Sequence, residues 1–108
     1  MEKIRVQLVE FDKPMPNGRM ISKDAFLESE GNEVPIYPAG SAYNHSPADV
    51  LGFGTIHLDE NGIYADCELI ESRIKSENIG SASIYAATRR KENLITDGYI
   101  GAISFILK

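Results

Sequence analysis

Residues 3–11 alternate, with Ile4, Val6 and Leu8 on one side and Arg5 and Gln7 on the other, the period of a strand with one wet face. Pro14, Pro16 and Asn17-Gly18 then break the pattern into a loop. Ser22 is placed to cap a short helix over residues 22–29, with Asp24 favourable in its first turn and Gly31 as its stop. Residues 33–37 are extended but bounded by Pro35 and Pro38, which predicts an edge strand at best. Val50 to Leu58 is strand-like, with Gly52 and Gly54 on one side, where glycine permits a bulge or a close backbone approach. Asp59-Glu60-Asn61-Gly62 predicts a turn, and Ile63 to Ile70 returns as a strand. Residues 71–79 read as a loop or a single helical turn, 81–87 as a small-residue strand and 88–97 as a polar connection. Gly98 opens the last strand, Tyr99 to Leu107.

That strand is apolar on both sides. Plain alternation sets Tyr99, Ile103, Phe105 and Leu107 on one face and Ile100, Ala102 and Ile106 on the other. Such a strand is either central or covered by another subunit, so those first four residues are the expected partner contacts. Together the segments predict one domain over residues 1–108, mainly β: a small closed or partly open antiparallel β-barrel of about six or seven strands with one short helix.

Composition narrows the function classes. A chain of 108 residues with 43% hydrophobic and 25% charged residues is an ordinary globular one. Its net charge of −5 argues against a nucleic-acid surface, and the one cationic run, Arg89-Arg90-Lys91, reads as a solvated loop tip. The single cysteine, Cys67, excludes an intrachain disulfide, and its alternation with Ile63, Ala65 and Leu69 predicts a buried thiol. No secretory leader and no apolar run of membrane-spanning length is visible, so a soluble intracellular product without membrane contact is expected.

The chemistry-bearing residues are few. His45, in a Pro-flanked polar loop, has the pKa range of a general base. His57 shares a strand face with Leu51, Phe53 and Thr55 and reads as half-buried; with His45 it lacks a third metal ligand at any suggestive spacing, so neither metal nor cofactor is expected. Ser83 faces away from Ala82, Ile84 and Ala86, and becomes a nucleophile only with a base and oxyanion donors beside it. Asp66 and Glu68 alternate on an outer face, as solvating carboxylates usually do, and Arg19 is a loop cation.

The order of these blocks resembles the prohead proteases of tailed phages, relatives of the herpesvirus assemblins. The blocks are Asn44-His45-Ser46-Pro47, then Gly52-Phe53-Gly54, then Asp59 through Leu69. Pro16-Asn17-Gly18-Arg19 is similar to the family's entry into its first helix, and Ser83-Ile84-Tyr85-Ala86 falls where the nucleophile strand lies. The resemblance implies His45 and Ser83 as base and nucleophile of a serine endopeptidase. The family's helix-bearing insertion between these blocks is cut to about residues 71–79, and after Ser83 the last strand offers only Tyr99, Gly101, Ala102 and Ser104 where the family has an orienting acid or histidine. A triad without its orienting member loses most of its power. The expectation is therefore an auxiliary or decoration subunit of the virion, built on a prohead-protease-like fold and assembled in the host cytoplasm. Its partners would be the major capsid protein or other head proteins, with a homo-oligomer as a further option; the alternative is an active maturation protease.

Overall fold

The computed structural model describes residues 1–11, 13–15, 18–40 and 46–108. Seven strands appear among them: β1 (Glu2–Glu10), β2 (Met20–Ile21), β3 (Glu33–Pro38), β4 (Gly52–Leu58), β5 (Gly62–Leu69), β6 (Ile79–Lys91) and β7 (Leu94–Leu107). Strands make up 59% of the described residues and form a curled mixed sheet, a half-barrel of six strands. The order is β1-β5-β4-β3-β7, with β6 on the far side of β7 and the two-residue β2 beside its first residues. The mainly β, partly open architecture is the expected one. The sheet is mixed because β3 and β2 both meet β7 in parallel.

β5 shows how pattern becomes packing. Ile63, Ala65, Cys67 and Leu69 are buried on its inner side while Asp66 and Glu68 stay exposed. The preceding turn closes through Asp59, whose Oδ1 accepts the N–H groups of Asn61 at 2.7 Å and Gly62 at 2.9 Å. On β4, Gly54 leaves room for Ile103: a Cβ there would lie 2.5 Å from its Cδ1. In β1, Gln7 faces Tyr64 and Val9 faces Ile63, so Leu8 is an extra residue and both Leu8 and Val9 are buried.

Four expectations need correction. β3 is not an edge strand, because β4 pairs with its first half and β7 with its second. The two ladders share only Ile36, so Pro35 and Pro38 each have a neighbouring strand on one side alone. The helix over 22–29 is absent: Ser22 Oγ accepts the Asp24 N–H at 3.4 Å, but turns follow and only Leu27–Ser29 forms a 3-10 turn. Ala25, Phe26 and Ser29 are all buried there, so the segment serves as a plug against the sheet. The polar connection over 88–97 is strand, since β6 and β7 pair up to Lys91 and Leu94 and turn through Glu92 and Asn93.

The fourth correction concerns β7. Tyr85 faces Ala102 and Ala86 faces Ile100, so Gly101 is an extra residue that reverses the alternation. Ile100, Ile103 and Phe105 consequently all enter the core. Of the four expected partner contacts, Ile103 and Phe105 are interior residues; Tyr99 and Leu107 are exposed.

Candidate functional site

Ser83 lies on β6 directly opposite Ser104 of β7, and Ser104 is in turn opposite Tyr37 of β3. The three form a row across the outer face, from buried Tyr37 through half-buried Ser104 to exposed Ser83. β3 leaves this row at Pro38, and Ala39 donates its N–H to the Phe105 carbonyl at 2.8 Å. His45 itself lies outside the described residues, as do Tyr43 and Asn44.

The chain from Ser46 to Val50 is anchored. Ser46 Oγ accepts the Ala48 N–H at 3.3 Å and starts a 3-10 turn over Pro47–Asp49. Arg73 Nη1 donates to the carbonyls of Val50 at 2.6 Å and Pro47 at 3.3 Å, a clamp from the segment after β5. Sequence reasoning missed Arg73, and no local signal marks it: its acceptors are 23 and 26 residues away. Among the described residues no histidine or carboxylate is hydrogen-bonded to Ser83.

A second cluster covers the outer face of β1, β5 and β4. Arg5 donates to Asp66 through Nε at 2.8 Å and Nη2 at 3.3 Å, while its guanidinium carbon sits 4.5 Å over the Tyr64 ring. The hydrogen bond from Arg5 holds the Asp66 carboxyl below its usual range. His57 stands between two acids, Nδ1 at 3.1 Å from Glu30 Oε2 and Nε2 at 3.6 Å from Asp66 Oδ2. Lys3 lies 3.8 Å from Glu68. Each carboxylate of the Asp66/Glu68 pair thus faces its own cation from β1, which makes the pair a cross-strand ion-pair ladder rather than an acid–base couple. A shallow trough of about 440 Å³ runs beside it, walled by Arg5, Glu33, Phe53 and Glu68.

Cys67 is buried, and desolvation, helped by the Asp66 charge, pushes its thiol up to about 11. It is a protonated core side chain at neutral pH.

The exposed large apolar residues concentrate on one hairpin. Tyr85, Leu94, Tyr99, Ile106 and Leu107 all belong to β6 and β7. Apart from Leu94 and Leu107, they share an outer face with Ser81, Ser83, Ala87 and Ser104, according to the cross-strand register. Tyrosines among small residues are the composition of a contact surface. Compared with protein-family models, with curated proteins and with solved structures, the chain matches none.

Proposed function

We propose that this chain is an auxiliary subunit of a tailed-phage head, a prohead-protease-like half-barrel that binds the capsid lattice through the outer face of the β6–β7 hairpin. The observation that carries the reading is that face, where Tyr85, Tyr99 and Ile106 are about half exposed at 45%, 56% and 54% around a floor of serine and alanine. Large amphipathic rings on a rigid ribbon bury much area at little entropic cost. The phage assignment rests on the sequence blocks around Asn44-His45 and Asp59–Leu69. Its partners are the major capsid protein or other head proteins, and its place is the virion.

Co-sedimentation of the purified chain with mature capsids and with procapsids tests this. Stoichiometric binding without new cleavage products, abolished by Tyr99→Ala, is the expected result. Failure to bind either shell overturns it.

One observation favours a second reading, a serine endopeptidase of head maturation. The row Tyr37–Ser104–Ser83 sets the end of β3, seven residues before His45 in the sequence, one strand away from exposed Ser83. In that case procapsid scaffold or capsid protein is cut, and both Ser83→Ala and His45→Ala stop the cutting while the fold is kept.

A further inference from the structure

We propose that two copies of this chain associate side by side through β6, running antiparallel, so that the basic end of each strand meets the acidic turn that leads into the other. β6 pairs with β7 along one edge; along the other no ladder forms among the described residues. β1 passes within 8 Å of it at the Cα atoms without pairing. From Ile79 to Thr88 the strand carries no charge and no proline. Those are the devices that ordinarily keep an open edge from recruiting another strand. β1, the other outer strand of the sheet, has them in Glu2, Lys3, Arg5 and Glu10.

Charge selects the occupant. Residues 79–107 hold three cations, Arg89, Arg90 and Lys91, and two acids, Glu92 and Asp97, for a balance of +1; the remainder holds eight cations and fourteen acids, or −6, which together give the −5 of the chain. All three hairpin cations sit at one exposed end of β6. At its other end Glu77 and Glu71 are exposed beside Glu2 and Lys75 around a shallow hollow. A strand basic at one end and led into by an acidic turn at the other is self-complementary when two copies run antiparallel.

The register follows. A two-fold axis at Ser83 sets exposed Tyr85 opposite Ser81 and brings Arg89 and Arg90 of one copy level with the 3-10 turn Ser76–Asn78 of the other, where Glu77 is exposed. The next position out sets Lys91 level with Lys75, so the attraction rests on Arg89 and Arg90 against Glu77. Such a contact is isologous and closes at two subunits. It goes beyond the capsid reading, since a dimer forms with or without affinity for a shell.

Sedimentation velocity of the full chain at about 50 mM and about 500 mM salt reads the association and its screening. The wild type is expected to dimerise, more weakly at the higher salt. Arg89→Glu and Glu77→Arg are each expected to weaken the dimer at least about tenfold, and the double variant to restore it. Both side chains are exposed, and circular dichroism melting verifies that each variant folds. A chain that stays monomeric at both salts overturns the proposal, as does a dimer indifferent to either charge reversal. Monomers captured only by capsids also overturn it, by giving the edge to the lattice instead.

Discussion

The Ser29 hydroxyl accepts a hydrogen bond from the Ile100 N–H at 3.2 Å, joining residues 71 positions apart, both fully buried. Ile100 lies in the stretch of β7 that neither β2 nor β3 reaches, since their ladders cover Leu94–Ile95 and Ile103–Phe105. The 3-10 turn fills that gap, and its serine supplies the acceptor a neighbouring strand would otherwise offer. Removing it leaves a buried donor unpaired, and an unpaired donor costs its desolvation, about 1–3 kcal/mol. Ser29→Ala is expected to lower stability by that amount, read as a lower urea midpoint with an unchanged slope.

Gly98 owes its identity to the same plug. A Cβ on it would lie 2.3 Å from Phe26 Cε1 and 2.9 Å from the Ala87 carbonyl oxygen. Phe26 is itself 1% exposed, so the ring has nowhere to retreat without opening the core. Gly98→Ala is expected to cost about 1–3 kcal/mol through overpacking. A double-mutant cycle with Phe26→Leu checks the cause: the second change should recover part of the loss, and strict additivity would deny the contact.

The strands that alternate without interruption were legible from residue types alone. β5 is the best case, because its inner residues and its two outer carboxylates obey one period along the whole element. The parity of β7 was not legible. Gly101 is compatible with a regular strand, and only the register between Tyr85 and Ala86 shows it to be the extra residue. Likewise the Ser22 signal is real, since its hydroxyl accepts the Asp24 N–H. It nucleates no helix because burial of Ala25, Phe26 and Ser29 prevails over the weak propensity of a short segment. For the site, His57 was readable as half-buried, but its pairing with Glu30 depends on a contact across 27 residues that no local pattern encodes. Ser83 is on the outer face as expected, and His45 falls outside the described residues.

Glu92, first residue of the turn that ends the β6–β7 hairpin, has φ of 56°. The left-handed region crowds the Cβ of an L-residue against its own carbonyl at about 1–2 kcal/mol, and glycine has no such crowding. Glycine gives back part of that gain through its looser unfolded state, about 0.4–1 kcal/mol. Glu92→Gly is therefore expected to raise stability by up to about 1 kcal/mol, and Glu92→Val to lower it. Thermal unfolding of the two variants beside the wild type separates them, and equal midpoints would place the turn's control elsewhere.

Glu2 ties the start of β1 to the 3-10 turn before β6. Its carboxylate accepts the Ser76 hydroxyl at 2.6 Å and the Ser76 N–H at 3.0 Å. Those bonds, the hydroxyl's first, hold its pKa below the ordinary value. A carboxyl whose folded pKa is depressed adds stability above its unfolded value, about 4.3 for glutamate, and loses it as pH falls toward the folded value. The wild type is therefore expected to lose stability on acidification below about pH 5, and Glu2→Gln to show a shallower fall over the same window. The side chain is exposed enough for solvent to screen the effect, so the slope of stability against pH is the readout rather than any single midpoint. Urea titrations between about pH 3 and pH 7 give that slope. Parallel curves for the two proteins would mean that the Ser76 contact is not held in solution, and the β1–β6 seam would then be untied at that end.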